Sequence, residues 1–137
     1  MDDADFLHTL TPAETEALED MGEPASYGAG EVIFEEGGTA DCVLLVRAGR
    51  VRVTAVAGDG EELLLAERGA GELLGELSGI DGRPRSASVT ALDEVRGLVV
   101  PLRAFRGFLM DHPRVALSLL EMLSRRLRES EAARRVV

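Results

Sequence analysis

Between Glu31 and Pro101 closely spaced glycine turns divide the chain into short apolar segments, and this pattern restricts the fold more than any other feature. The turns stand at Gly37-Gly38, Ala48-Gly49, Gly58-Asp59-Gly60 and Gly69-Ala70-Gly71. Short segments rich in Val and Leu that alternate with turn residues at regular spacing are typical of a small β-roll or barrel. One segment also has the period of a half-exposed strand, since Val51 and Val53 alternate with Arg50, Arg52 and Thr54.

Helical patterns flank this region. Thr11-Pro12-Ala13-Glu14 has both ends of a capping box and proline at the first helical position, which predicts a helix from about Pro12 to Met21. We expect Leu7, Leu10 and Leu18 to dock it on the barrel. After Pro101 the apolar period becomes helical again, with Phe105 and Phe108 in a short helix and a long helix starting near Pro113.

The predicted fold class is therefore α+β, an antiparallel β-roll or jelly-roll barrel with a short N-terminal helix and two C-terminal helices. A chain of 137 residues has room for one domain. We divide it into an N-terminal helical segment (1–30), the β-roll (31–101) and the C-terminal helices (102–137).

The last helix carries an apolar stripe at three- and four-residue steps, formed by Ala116, Leu120, Leu123 and Leu127 and continued by Ser130. Such a stripe could pack on the barrel or on the same helix of a second copy. The sequence leaves both alternatives open.

The segment Gly71–Ala91 reads GELLGELSGIDGRPRSASVTA and combines a Gly-Glu turn, a Gly-rich loop and an Arg-Ser pair at the start of an alternating strand. A cyclic phosphodiester needs backbone N–H donors and a fixed guanidinium for its charged oxygens, and its ribose hydroxyl needs an acceptor. Gly75, Glu76 and Arg85 supply these three chemistries. The nine-residue spacing from Glu76 to Arg85 favours one shared pocket, and the simpler alternative is an ordinary ion pair between them.

At GELLGELS and PRSASV the chain resembles the phosphate-binding cassette of the cyclic-nucleotide-binding domain, as found in regulators of the catabolite-activator and fumarate-nitrate-regulator (Crp/Fnr-like) superfamily and in kinase regulatory subunits. The resemblance extends to GEVIFEEG, DCVLLVRAGRVRV and the helix HPRVALSLLEMLSRRLRE, so that it covers nearly the whole chain. It implies a short cassette helix, with Glu76 on the ribose 2′-hydroxyl and Arg85, assisted by Ser86, on the cyclic phosphate.

The predicted ligand site also includes Gly75 and Leu77 from the matching cassette. Ser130 is added because the final helix of the family covers the base, although a serine near a helix end is more often simply solvated. The residue after the loop arginine helps the family to discriminate purines, and Ser86 is compatible with adenine or guanine. Cyclic AMP is favoured over cyclic GMP only as the commoner bacterial ligand.

Composition argues against several other classes of function. The formal net charge of −10 disfavours a DNA-binding surface, because nonspecific DNA affinity comes mostly from Lys and Arg. No apolar run approaches the length of a membrane span, so we expect a cytoplasmic protein without a membrane partner. Cys42 is the one cysteine and lies in the apolar run CVLLV, where we expect a small core residue. His8 and His112 lie outside the predicted barrel, so no metal, cofactor or catalysis is expected.

No helix-turn-helix segment follows the long helix in this sequence, so direct DNA binding is not expected. Met1 and the acidic opening DDAD favour a natural N-terminus, and hence a stand-alone module over a fragment. The predicted function is a cyclic-nucleotide sensor whose C-terminal helix repositions when ligand binds. The alternative is a degenerate domain that serves as a ligand-independent dimerisation or protein-docking scaffold through its apolar stripe.

Overall fold

The computed structural model describes the backbone of residues 5–136 and the side chains of residues 5–131. The opening residues Met1–Ala4, on which we based the prediction of a natural N-terminus, lie outside the described residues. A 3-10 turn (Leu7–Thr9) precedes the first helix. The helices are α1 (Pro12–Asp20), α2 (Glu76–Asp81), α3 (Leu102–Asp111) and α4 (Pro113–Val136). The strands are β1 (Glu23–Tyr27), β2 (Val32–Phe34), β3 (Cys42–Ala48), β4 (Val51–Val56), β5 (Glu62–Arg68), β6 (Leu73–Leu74), β7 (Ser88–Ala91) and β8 (Val95–Pro101).

Within residues 5–136 the strands form two four-stranded antiparallel sheets, ordered β1-β8-β3-β6 and β2-β7-β4-β5. The predicted α+β class and the antiparallel β-roll are confirmed. So is the capping box of α1, since the Thr11 hydroxyl accepts from the Glu14 backbone N–H at 3.2 Å and the Glu14 carboxylate accepts from the Thr11 N–H at 2.8 Å.

Strand β3 is the centre of the packing because both of its faces are buried. Leu44 and Val46 point to an apolar cluster between the two sheets, and Val43 and Leu45 point to a second cluster beneath the helices. A continuous apolar run such as CVLLV is what a strand covered on both sides requires. The second cluster includes Leu18, with Leu7 and Leu10 partly buried against it, so the predicted docking of the N-terminal segment is confirmed.

Two predictions about the sheets are wrong. The N-terminal segment 1–30 is not helical throughout, because Glu23–Tyr27 forms the edge strand β1 against β8. Its sequence EPASY has no strand period, and Pro24 is tolerated because β1 lies at an edge. Thr54, predicted on the wet face of β4, is buried. The register of β4 and β5 shifts at this point, with Val53 opposite Ala66 and Thr54 opposite Leu64, and the twist of such a bulge changes which side chains the sheet covers.

Helix α4 packs on the barrel mainly through residues outside the apolar stripe, whose packing partner the sequence left open. Val115, Leu119 and Met122 are buried in the cluster beneath the helices. Of the predicted stripe, Leu123 is partly buried against this cluster, whereas Leu120 and Leu127 are 56% and 57% exposed. The helix has apolar residues on two faces, and the sequence period alone did not show which face the barrel covers.

Candidate functional site

Two glycines in the left-handed region bracket the short helix α2. Gly75 has a φ of +82° at its N-terminal end, and Gly82 has a φ of +72° at its C-terminal end, where its N–H bonds to the Ser78 carbonyl at 2.8 Å. A side chain at Gly75 would also meet Arg85, because its Cβ would lie 2.5 Å from Nη1 of the guanidinium. Glycine is therefore required here both by the backbone conformation and by the close approach of a charged side chain.

Arg85 is buried at 6% exposure and is held on three sides. Its Nη2 donates to the Cys42 carbonyl at 2.7 Å, and its Cζ lies 3.7 Å from the centre of the Phe34 ring, in cation–π contact. Its backbone is fixed by hydrogen bonds with the Gly37-Gly38 turn, at 2.8 and 2.9 Å. These contacts leave the guanidinium little freedom to turn away from the glycine loop.

One nitrogen of Arg85 has no hydrogen-bond partner among the described residues. Nη1 is buried and has no hydrogen bond to any residue that the structure describes. Buried donors of charged groups are nearly always paired, because an unmade bond to such a group costs about 1–3 kcal/mol or more. An orphaned, positively charged donor next to a glycine loop is the signature of a site for an anion.

Glu76, the first residue of α2, has its own set of contacts. Its carboxylate lies 3.7 Å from Nη1 of Arg126 on α4, and its side chain is 14% exposed. Burial raises the pKa of this carboxyl above its ordinary value of 4.5, an effect that a backbone hydrogen bond and the positive charges of Arg126 and Arg68 partly oppose. The alternative of a simple Glu76–Arg85 ion pair does not describe the structure, because each residue binds elsewhere.

Glu76 and Arg85 open onto one cavity of about 630 Å³, within the usual range for small-molecule sites. Gly75, Leu77 and Ser86 also line it, and so does Ser130 from α4. All six residues of the predicted site are thus brought to the same cavity. Apolar side chains from both sheets and α4 form its remaining walls, among them Phe34, Val53, Leu65, Val89, Leu123 and Leu127.

The sequence analysis missed four residues that shape this site. Phe34 stacks on Arg85, Cys42 supplies the carbonyl that holds it, and Glu72 and Arg126 form ion pairs beside Glu76. Arg126 could have been found, since it lies one helical turn before Ser130 and one after Met122. Cys42 was predicted as a core residue, but it is only half-buried because it begins its strand beside Arg85. Phe34 and Cys42 come near Arg85 only through the tertiary fold.

The arrangement can bind an anion and a hydroxyl group at the same time. Arg85 presents a fixed positive donor at the glycine loop, Glu76 presents a carboxylate acceptor, and the apolar walls can cover a planar ring. Arg83, on the same loop as Arg85, is exposed. In the part of the chain that the structure describes, no three His, Cys, Asp or Glu residues come together as a metal site, and no helix is both long and apolar enough to cross a membrane.

Replacing Gly75 and Gly82 with alanine separates the two reasons for glycine in this loop. Both variants take up the strain of a positive φ, about 1–2 kcal/mol. Gly75→Ala adds the clash with Arg85, whereas the Cβ of Gly82→Ala would have its nearest contact at 3.9 Å. We expect the free energy of unfolding in urea to fall by at least about 1 kcal/mol more for Gly75→Ala. Equal losses would mean that Arg85 does not press on the glycine.

Comparison with known proteins agrees with this geometry. The profile of the cyclic nucleotide-binding domain family matches residues 24–112. A CRP-like cAMP-activated global transcriptional regulator of Mycobacterium tuberculosis is 33% identical over 93% of this chain, and the chain spans 57% of its length. Among solved structures, the catabolite activator protein of Thermus thermophilus superposes with a TM-score of 0.85 at 33% identity, over 93% of this chain and 60% of that one.

A third relative is a structure of one domain of a longer protein. The N-terminal domain of a transcriptional regulator from Streptomyces coelicolor A3(2) superposes with a TM-score of 0.71 at 34% identity, over 93% of this chain and 90% of that one. The matched residues 24–112 include the glycine loop, Glu76 and Arg85, which line the same cavity. The chain belongs to the cyclic nucleotide-binding domain family and has the Crp-like regulatory domain fold.

Proposed function

We propose that this protein is a regulatory sensor of cyclic AMP and that it performs no catalysis. The observation that carries the proposal is the buried Nη1 of Arg85, which has no partner among the described residues and faces the glycine loop. An oxygen of a cyclic phosphate would accept the hydrogen bond that this nitrogen can donate. The proposed module acts in the cytoplasm. It does not bind DNA directly, as its net charge of −10 predicts.

Each part of the ligand has a counterpart in the cavity. Arg85, the amides that begin at Gly75, and Ser86 bind the cyclic phosphate, and Glu76 accepts the hydrogen bond of the ribose 2′-hydroxyl. Leu77 borders this end. The base lies toward α4, where Leu123 and Leu127 provide apolar cover and Ser130 provides a hydroxyl. The preference for adenine over guanine is supported by the name of the Mycobacterium tuberculosis relative, a cAMP-activated regulator.

A thermal-unfolding titration tests binding. At a concentration about a hundredfold above the dissociation constant, a specific ligand stabilises the fold by about 2.7 kcal/mol, which raises the midpoint by several degrees. We expect this shift with cyclic AMP, a smaller one with cyclic GMP, and none with linear 5′-AMP.

Arg85→Ala should abolish the shift, whereas Arg83→Ala, which removes the same charge from the exposed part of the loop, should keep it. A wild-type protein that shows no shift up to millimolar cyclic nucleotide would contradict the sensor and favour the scaffold.

We further propose that ligand binding repositions α4. The helix is connected to the site through Arg126, which is paired with Glu72 and Glu76, and through its three cavity-lining residues Leu123, Leu127 and Ser130. A ligand that contacts these residues can bind one position of the helix more tightly than another, and only such a difference shifts the population.

Spin-label distances test this movement. Labels at Glu129→Cys on α4 and Glu94→Cys on the β-roll, with Cys42→Ser to remove the native thiol, should change their separation when cyclic AMP binds. A second pair at Glu94→Cys, directly before β8, and Glu23→Cys on β1, which pairs with β8, should not change. An unchanged distance to α4 in protein that binds cyclic AMP would overturn the coupling while leaving binding intact.

A second candidate function is dimerisation along α4, with or without ligand. Leu117, Leu120 and Leu127 are each more than half exposed, and Met110 at the end of α3 is 81% exposed. Leu117, Leu120 and Met110 border one shallow apolar groove between α3 and α4. A second copy presenting the same groove would cover these side chains and form a symmetric interface.

Sedimentation of surface variants tests the dimer. Leu120→Glu introduces a charge into the groove and should convert a dimer to a monomer without changing the thermal midpoint of the isolated subunit. Leu92→Glu makes the same change at a leucine of similar exposure away from α4 and should leave the mass unchanged. If Leu120→Glu keeps the wild-type mass, or the wild type is already a monomer, the helix does not mediate self-association.

A further inference from the structure

Arg126 is shared between two carboxylates of the cassette. Its Nη2 donates to Glu72 Oε1 at 3.4 Å, and its Nη1 lies 3.7 Å from Glu76 Oε1. Arg126 is 23% exposed, Glu72 22% and Glu76 14%, so the three groups interact where solvent screens their charges only in part. The position of one guanidinium therefore depends on two acids with different surroundings.

Glu72 is held in place by contacts that do not involve Arg126. Its Oε2 accepts the Gly69 backbone N–H at 3.0 Å, and the Glu72 N–H donates to the Gly69 carbonyl at 3.2 Å, so the side chain is part of the turn before β6. Its Oε1 also lies 3.6 Å from Nη1 of Arg68. The carboxylate is thus a fixed anchor that does not depend on the position of α4.

The contact between Arg126 and Glu76 is longer than the contact with Glu72, at 3.7 Å against 3.4 Å, and both exceed the 2.7–3.2 Å of an ordinary N–H···O hydrogen bond. At 3.7 Å Arg126 counters the charge of Glu76 without tying that oxygen to a donor. If Arg126 moved closer, a charge-assisted hydrogen bond would occupy part of the acceptor capacity of Glu76. A hydroxyl ligand of Glu76 would then have to compete with a guanidinium.

We propose that Glu72 is a positioning residue for the sugar end of the site. It holds Arg126 in the place where the guanidinium neutralises Glu76 and leaves the carboxylate free to accept a hydroxyl. The same bond keeps α4 attached to the cassette when a ligand engages Glu76. This role rests on the proposed function, because it assumes that Glu76 accepts the ribose hydroxyl.

Removing the negative charge of Glu72 should affect recognition of the hydroxyl more than recognition of the phosphate. In Glu72→Gln the side-chain amide oxygen can still accept from Gly69, but the ion pairs with Arg126 and Arg68 are lost. Arg126 then closes on Glu76, its remaining carboxylate partner in this cluster. The phosphate end, at Arg85 and the glycine loop, keeps its contacts.

The test compares the affinities for cyclic AMP and 2′-deoxy cyclic AMP by calorimetry. A hydrogen bond to a charged acceptor predicts that the wild type prefers cyclic AMP by about tenfold or more. We expect Glu76→Gln to lose this preference and Glu72→Gln to lose at least about two thirds of it, while Glu67→Gln keeps it. Glu67 is the matched control, since it is an exposed β5 carboxylate with an arginine partner of its own.

The outcomes separate this inference from the proposed function. If wild type and Glu72→Gln show the same preference while Glu76→Gln loses it, the sensor stands and the positioning role is wrong. If the wild type binds cyclic AMP without preferring it over the 2′-deoxy compound, Glu76 is not the hydroxyl acceptor and the positioning role is again wrong. If the wild type binds neither compound, the proposed function fails.

A second measurement does not need the ligand. A double-mutant cycle of Glu76→Gln and Arg126→Gln, followed by urea unfolding, measures the coupling between these two residues. Repeated in the Glu72→Gln background, the coupling should correspond to an equilibrium constant at least about threefold larger, because Arg126 no longer pairs with Glu72 and can move closer to Glu76. An equal or smaller coupling would overturn the positioning role, whether or not the protein binds cyclic nucleotides.

Discussion

The burial of the Arg85 guanidinium is the constraint on which the rest of the site depends. A charge with 6% exposure must be compensated within the protein, and here the compensation comes from the Cys42 carbonyl and the face of the Phe34 ring. Both lie on segments far from Arg85 in sequence, which the barrel brings together. Because these contacts use one nitrogen and one face of the guanidinium, Nη1 is left beside Gly75 without a partner among residues 5–131. The folded barrel therefore holds the positively charged Nη1 of Arg85 in a fixed direction, next to the glycine loop.

Helix α4 connects this site to the surface of the molecule because its residues face three environments. Val115, Leu119 and Met122 anchor it in the core, Arg126 reaches the carboxylates of the cassette, and Leu117 and Leu120 lie open to solvent. The anchored half of the helix precedes the half that lines the cavity. A change at the cavity can therefore act on the later turns while the earlier turns stay packed. The exposed leucines on the same helix offer a surface through which such a change could reach a second copy.

The two ends of the cavity differ in how their charges are compensated. Arg85 is held by a carbonyl and an aromatic ring, which carry no net charge and leave it fully cationic for an anion. Glu76 instead has a formal counter-charge in Arg126, which also forms an ion pair with Glu72. One end is therefore suited to attract an ion and the other to exchange hydrogen bonds with a neutral hydroxyl. A cyclic nucleotide has both kinds of group at a fixed separation, which a flexible phosphate or a free sugar does not.

The sequence by itself determined the class of fold and the chemistry of the cassette, because both depend on local rules. Glycine spacing marks the turns, the capping box begins α1, and Gly75, Glu76 and Arg85 supply the anion and hydroxyl groups within one short segment. Only the tertiary structure decided which face of α4 the barrel covers, that Glu23–Tyr27 pairs as an edge strand, and that Thr54 is buried. It also decided the partners of the site, since Phe34 and Cys42 meet Arg85, and Arg126 meets Glu72, across separations of some 40 to 55 residues. A helix with two apolar faces and a strand without a period carry no local record of their neighbours, and that information resides in the packing alone.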